Sequence, residues 1–235
     1  MRSADQGRDT SHDQEHADGG LDAVGFLPDG RLVSADAQRR LRIYDPSGAI
    51  LADIEVSARV RTLRMSLDSR RLITIPSFAN QAASPELWDL EHYRSIARLE
   101  AQGQGPVYSA RFVAGGQIVT ACGDGAARLW DGTTGQFRQT YRGGSRFLVD
   151  ATLSPDGSMI VAGGGDGQLR FWDAVSARPL WTMPAHRSRL VGIRIEGDDI
   201  VTRGSSGDIS RWTLPNPGQA IEACRRRDAC DIVSK

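Results

Sequence analysis

The sequence predicts an all-β molecule built from repeated four-stranded units, and three observations carry that prediction. An aromatic residue followed by a polar one recurs as Tyr44-Asp45, Trp88-Asp89, Trp130-Asp131, Trp172-Asp173 and Trp212-Thr213, at separations of 44, 42, 42 and 40 residues. That period falls in the ~40–45 residues of a propeller blade and well above the ~34 of a paired-helix repeat. Ahead of each aromatic, short aliphatic or β-branched runs are divided by turns of Pro, Asp and Gly, which accept the backbone angles a tight hairpin requires. Four such runs per period, joined by tight turns, make one blade.

The unit around Trp172 shows the elements in order. Leu148 to Leu153 alternates as a first strand, Ser154-Pro155-Asp156-Gly157 turns, and Met159 to Ala162 is a second strand. Gly165-Asp166-Gly167 turns again before a third strand, Leu169 to Trp172, and Leu180 to Met183 is the fourth. The same phasing divides the chain into blades at about 21–56, 57–101, 102–142, 143–184 and 185–214. Three of them depart from the pattern. The first has Tyr44 in place of tryptophan and Gln38-Arg39 where an Asp-Gly turn is expected. The second carries an insertion, Pro76 to Pro85, which reads as an enlarged loop. The fifth has Ser206-Gly207 in place of Asp-Gly and ends its regular pattern at Leu214-Pro215.

The text LSPDGSMIVAGGGDGQLRFWD, from Leu153 to Asp173, and TACGDGAARLWDGTTG, from Thr120 to Gly135, resemble the WD40 repeat family, and the resemblance extends over residues 21–214. It implies a WD40-type β-propeller. It also implies structural duties for the repeat positions Tyr44, Trp88, Asp89, Trp130, Asp131, Trp172, Asp173 and Trp212, and for the turn residues Asp124 and Asp166. The family's buried network of His, Asp, Ser or Thr and Trp reads as incomplete in every blade. His186 stands where a first histidine belongs, but the following turn lacks the expected aspartate. Arg42, Arg128 and Arg170 lie two residues before an aromatic, where basic residues are common in the family.

Two segments lie outside the repeat. Residues 1–20 are polar and too poor in apolar side chains to order themselves, so a disordered arm is expected. Residues 215–235 carry helix formers from Gly218 to Arg227, and a short C-terminal helical tail is expected there. Cys122 falls in a strand where a small apolar residue belongs. Cys224 and Cys230 match no common zinc spacing and have no histidine beside them. His12 and His16 sit four apart among Gly and Asp, too poorly supported to hold a metal.

Composition narrows the function. Basic and acidic residues balance at 29 each, 40% of residues are hydrophobic, and no apolar run approaches the ~18 residues of a membrane span. The N-terminus has no hydrophobic stretch that reads as a secretory signal, so a cytoplasmic location is expected. Lys235 is the single lysine among the 29 basic residues, a bias expected of a GC-rich bacterial genome. No nucleophile elbow, metalloprotease helix or phosphate-binding loop is present, and the glycines at 163 to 165 belong to a hairpin turn. No catalytic residue, cofactor site or metal site is therefore expected, and neither nucleic acid nor membrane is an expected partner.

What remains is a non-catalytic scaffold that presents the propeller face to protein or peptide partners. The alternative is a sensory or regulatory module at the C-terminal end of a larger bacterial signalling ATPase or protein kinase. Five blades with an unfinished last one leave three readings: a degenerate small propeller, an open arc closed by a partner or a second copy, or the C-terminal part of a larger chain that supplies further blades. In WD40-like blades two sets of loops share a face. Tyr141 to Arg146 and His186 to Arg189 are therefore expected side by side, gathering Arg142, Arg146, His186, Arg187 and Arg189 into a positive patch. Such a patch suits an acidic or phosphorylated protein segment.

Overall fold

A computed structural model describes residues 20–213, apart from 79–82, 102, 104 and 145. The expected disordered arm (1–20), apart from Gly20, and the expected helical tail (215–235) lie outside the described residues. Five antiparallel sheets follow one another along the chain. Blade 1 consists of β1 (Leu21–Phe26), β2 (Leu32–Asp36), β3 (Arg40–Tyr44) and β4 (Ile50–Glu55). Blade 2 consists of β5 (Val60–Met65), β6 (Arg71–Pro76), β7 (Glu86–Asp89) and β8 (Arg94–Arg98). Blade 3 holds β9 (Val107–Val113), β10 (Gln117–Cys122), β11 (Ala126–Asp131) and β12 (Phe137–Arg142). Blade 4 holds β13 (Leu148–Leu153), β14 (Met159–Gly164), β15 (Gln168–Asp173) and β16 (Pro179–Pro184). Blade 5 shows three strands among the described residues, β17 (Leu190–Glu196), β18 (Asp199–Gly204) and β19 (Ile209–Thr213).

Strand alternation sorts the two faces of each sheet. In-register pairs place one row of large apolar side chains on a single face: Met65–Leu72–Trp88, Phe112–Ile118–Trp130, Leu153–Ile160–Trp172 and Ile195–Ile200–Trp212. Each row packs against aliphatic residues on the facing side of the preceding blade. Trp88 and Leu72 meet Val33, Ala35, Leu41 and Ile43, and Trp172 and Ile160 meet Val119, Ala121, Ala127 and Leu129. The core is therefore a series of inter-blade layers, each stabilised by an aromatic that contributes on the order of 150–250 Å² of buried surface.

The first strands β1, β5, β9, β13 and β17 line the inside of the arc. There β1 packs on β5, β9 on β5 and β13, and β17 on β13. Among the described residues blade 5 and blade 1 form no packed junction, so these five blades make an open arc.

The turn after the aromatic explains its polar follower in blades 1 to 4. Asp131 accepts hydrogen bonds from the backbone N–H groups of Thr133 and Thr134, and Asp173 from those of Val175 and Ser176. This closes the hairpin to the fourth strand with a side-chain oxygen standing in for backbone.

Candidate functional site

The loops expected to gather on one face bracket the Gly164–Gly167 turn of blade 4. On one side the Arg170 guanidinium donates to the Gly143 carbonyl at 2.8 Å, and Gly165 N–H donates to the Phe147 carbonyl. On the other, the Ala185 and His186 N–H groups both donate to the Gly167 carbonyl at 3.0 Å. Gly167 has φ +74°, and a Cβ there would lie 2.2 Å from the His186 carbonyl oxygen, so only glycine permits this approach.

Two expectations need correction. Tyr141 is fully buried: its hydroxyl donates to the Ala174 carbonyl at 2.6 Å, its ring meets Trp172, and burial pushes its pKa up to about 12. His186 also turns inward and is not part of an exposed patch. Its Nδ1 pairs with Asp208, while its Nε2 pairs with the Thr202 hydroxyl at 2.8 Å; Trp212 Nε1 donates to the same hydroxyl at 3.2 Å. Blade 5 therefore does hold a complete His–Asp–Thr–Trp network. Sequence reading missed it because the aspartate stands at 208, just after Ser206-Gly207, rather than before the glycine.

By residue type this is a hydroxyl–imidazole–carboxylate relay. But the His186 side chain is 0% exposed and Thr202 is likewise sealed, so no substrate reaches the hydroxyl and the relay is structural.

Arginine replaces histidine in other blades. Arg128 pairs with Asp124 at 2.6 Å, Arg170 with Asp166, and Arg42 with Asp36 at 3.1 Å. The turn aspartates thus hold both backbone and guanidinium, since Ala126 N–H also donates to Asp124 and Gln168 N–H to Asp166. In blade 1 Asp36 fills this role two residues earlier than its counterparts, which hid it from the sequence. Trp88 and Trp130 donate Nε1–H to Thr74 and Thr120, and Trp172 to the Arg142 carbonyl, each at 3.0 Å.

Of the expected surface arginines, Arg142 reaches Asp124 at 3.1 Å, whereas Arg146, Arg187 and Arg189 are exposed with no ion-pair partner among the described residues. Arg189 leads into a cavity of about 340 Å³ on the inside of the arc, a site the sequence did not announce. Arg61 and Arg64 project from β5, Arg111 from β9 and Asp150 from β13 into its lining. Along one wall runs a row of rings, with Phe78 5.3 Å from Tyr108 and Tyr108 5.5 Å from Phe147 between centroids. The Arg61 guanidinium lies 4.3 Å over Phe78.

The electrostatics of this cavity are uneven. Arg111 is neutralised: Asp150 accepts from its guanidinium, which also donates to the Ile193 carbonyl at 3.1 Å. Arg61 and Arg64 reach only uncharged acceptors, the Tyr108 and Leu63 carbonyls and the Thr62 hydroxyl. Burial, followed by repulsion from Arg64, pushes the Arg61 pKa down; burial, followed by Arg111, does the same to Arg64. Both guanidiniums stay charged at neutral pH. Arg61 Nε and Ser109 Oγ are buried without a hydrogen-bond partner. The cavity thus has excess positive charge and unused polar atoms beside an aromatic wall.

Among the described residues, Asp89, Glu91 and His92 form a cluster with metal-ligand chemistry. Three donors, two of them exposed, fall short of a closed four-ligand set. The Asp89 carboxylate already accepts from Glu91 N–H at 2.9 Å and pairs with Arg71 at 3.3 Å and His92 at 2.9 Å. The His92 hydrogen bond, together with the Glu91 N–H and the Arg71 charge, lowers the Asp89 pKa from 3.8 to about 2. Asp131 is lowered still further, first by Arg138. A depressed carboxylate contributes stability that is complete above its unfolded value and is lost as pH falls through its folded value. The urea midpoint of unfolding is therefore expected to hold steady at neutral pH and to fall from about pH 4 toward pH 2. A midpoint unchanged down to pH 2 would contradict these pairings.

Compared with known families, the WD domain, G-beta repeat matches residues 93–131 and 135–173. Each match starts near the outermost strand of one blade and ends with the third strand of the next, so the sequence repeat straddles two blades. No curated protein matches the chain. No helix among the described residues is long and apolar enough to cross a membrane.

Proposed function

Because the chain is a WD40-repeat protein, we propose that it is a non-catalytic scaffold whose inner face and adjoining loops capture an acidic or phosphorylated protein segment. WD40 repeats in general build protein-interaction surfaces, and this reading adds a site and a ligand chemistry. The observation that carries it is the un-neutralised trio Arg61, Arg64 and Arg189 around one cavity, on a chain of zero net charge. Arginine forks pair with carboxylate and phosphate oxygens, and partial burial spares such pairs from salt screening. The ring row offers stacking surface for the apolar part of the same segment. Arg146 and Arg187, exposed at the rim, would speed encounter. A sensory module of a larger signalling ATPase or kinase would use this face in the same way.

The test is fluorescence anisotropy with labelled peptides: one rich in Asp and Glu, its phosphoserine counterpart, and a basic control. Arg61→Ala with Arg64→Ala should weaken capture of the anionic peptides by more than tenfold, about 1.4 kcal/mol or more. Serine at Arg142, Arg146 and Arg187 should act mainly on the association rate and on the salt dependence, and adding Arg189→Ser should also weaken capture. Equal binding of the basic control, or capture indifferent to both sets, overturns the reading.

A further inference from the structure

The two ends of the arc are built differently. In blade 1 the in-register row that corresponds to Leu153–Ile160–Trp172 is Phe26–Leu32–Tyr44. The opposite face of blade 1 is already used, since Ala23, Val33, Ala35, Leu41, Ile43, Ala52 and Ile54 pack toward blade 2. The Phe26 row therefore lies on the other flank, which no blade among the described residues covers. Phe26 is 73% exposed and Val24 beside it 58%, and Leu51, which alternation places on the same flank, is 41% exposed. This is an inter-blade face in composition and register, left uncovered.

The far end is different. Where blade 1 has Val33, Ala35, Leu41 and Ile43 facing its successor, blade 5 has Val201, Arg203, Ile209 and Arg211 in the same register. Arg211 is occupied at the surface by Glu196 at 2.8 Å and Asp199 at 3.0 Å. Head-to-tail contact between copies would press the guanidiniums of Arg203 and Arg211 onto Phe26 and Leu32, and desolvating them there is costly. The polar margin of the blade 1 flank instead carries both signs. Arg40 pairs with Asp53 at 2.8 Å, and Arg42 with Asp36 at 3.1 Å and Asp53 at 3.4 Å. A margin with balanced arginines and aspartates is complementary to itself under a two-fold rotation, which is the symmetry of most protein dimers.

From this asymmetry we infer that the blade 1 flank binds the blade 1 flank of a second copy, giving a two-fold dimer with Phe26 of each protomer at its centre. The inference is independent of the anion-binding face. Specific interfaces bury about 1,200–2,000 Å² in total, and one confined to the flank of a single blade is expected at or below the low end of that range. The affinity of such an interface is set by how well Phe26 and its neighbours pack and not by its area, and the dimer is expected to be reversible.

The experiment is sedimentation velocity of the full chain from about 0.1 to about 100 μM, with hydrogen exchange of β1 followed in parallel. The expected result is a monomer–dimer equilibrium in which β1 becomes protected as concentration rises. Phe26→Glu with Val24→Glu should weaken dimerisation by at least about tenfold; both side chains are exposed in the monomer, and an unchanged far-UV spectrum verifies folding. Arg203→Glu should leave the dimer as it was. A monomer at every concentration, including one that binds a separate blade-bearing chain, overturns the inference. So does a dimer insensitive to the Phe26 change, or a series of growing oligomers sensitive to Arg203, which would mean head-to-tail assembly.

Discussion

Replacing Trp172 by alanine is expected to destabilise the protein by about 3–5 kcal/mol, the usual loss when a large aromatic is removed from a packed site. Trp172 is 1% exposed, lies between blades 3 and 4, and donates Nε1–H to the Arg142 carbonyl at 3.0 Å. Its surroundings cannot collapse to fill the space. Tyr141 is fixed by its own hydrogen bond to Ala174, and Ile160 and Leu129 are held in ladders on either side. Gly143 shows how tight the site is, since a Cβ there would lie 2.7 Å from the indole. Trp181, on the outermost strand, is half-buried and stacks on Phe171 at 4.3 Å. Trp181→Ala should accordingly cost clearly less. Denaturant titration measures both, and equal losses would contradict the assignment of Trp172 to an inter-blade layer.

Asp150→Ala is expected to produce a loss of similar size, about 3–5 kcal/mol, for an electrostatic reason. Asp150 is buried on β13, where its carboxylate accepts from Arg111 of blade 3 and from the Ile193 N–H of blade 5 at 2.8 Å. Three blades meet at that one side chain. Its removal leaves a partly buried guanidinium with no counter-charge and a backbone donor with no acceptor, and each of these alone is costly. Asp150→Asn keeps an acceptor for Ile193 and should retain part of the stability. Arg111→Leu combined with Asp150→Leu should recover more than the sum of the single losses predicts, because no charge is then stranded. A loss below about 1 kcal/mol for Asp150→Ala would mean that the inner ends of the blades are held by packing alone.

The candidate site was legible only in part. The sequence placed Arg142, Arg146, Arg187 and Arg189 in two loops, and both loops border the same turn of blade 4. It could not place Arg61, Arg64 and Arg111, which sit in unremarkable strand positions and become neighbours only because β5 and β9 line the same interior. His186 went the other way, since its place in a face loop suggested a surface role that its pairing with Asp208 and Thr202 precludes. Phe78 lies within the insertion Pro76 to Pro85, and nothing in its local text indicates that it extends a row of rings with Tyr108 and Phe147.

The repeat period, the strands within each blade and the turn chemistry were determined by the sequence alone, because alternation and turn preference act over a few residues and are written locally. The strands expected around Trp172 agree with β13 to β16 to within one or two residues for that reason. The tertiary structure decided which polar partners meet, as when Asp36 and Asp208 fill a role from displaced positions. It also decided that blades 5 and 1 form no junction among the described residues, and that one end of the arc is apolar while the other carries arginine. These outcomes depend on distances between residues tens of positions apart, set by how successive sheets pack, and no local pattern encodes them.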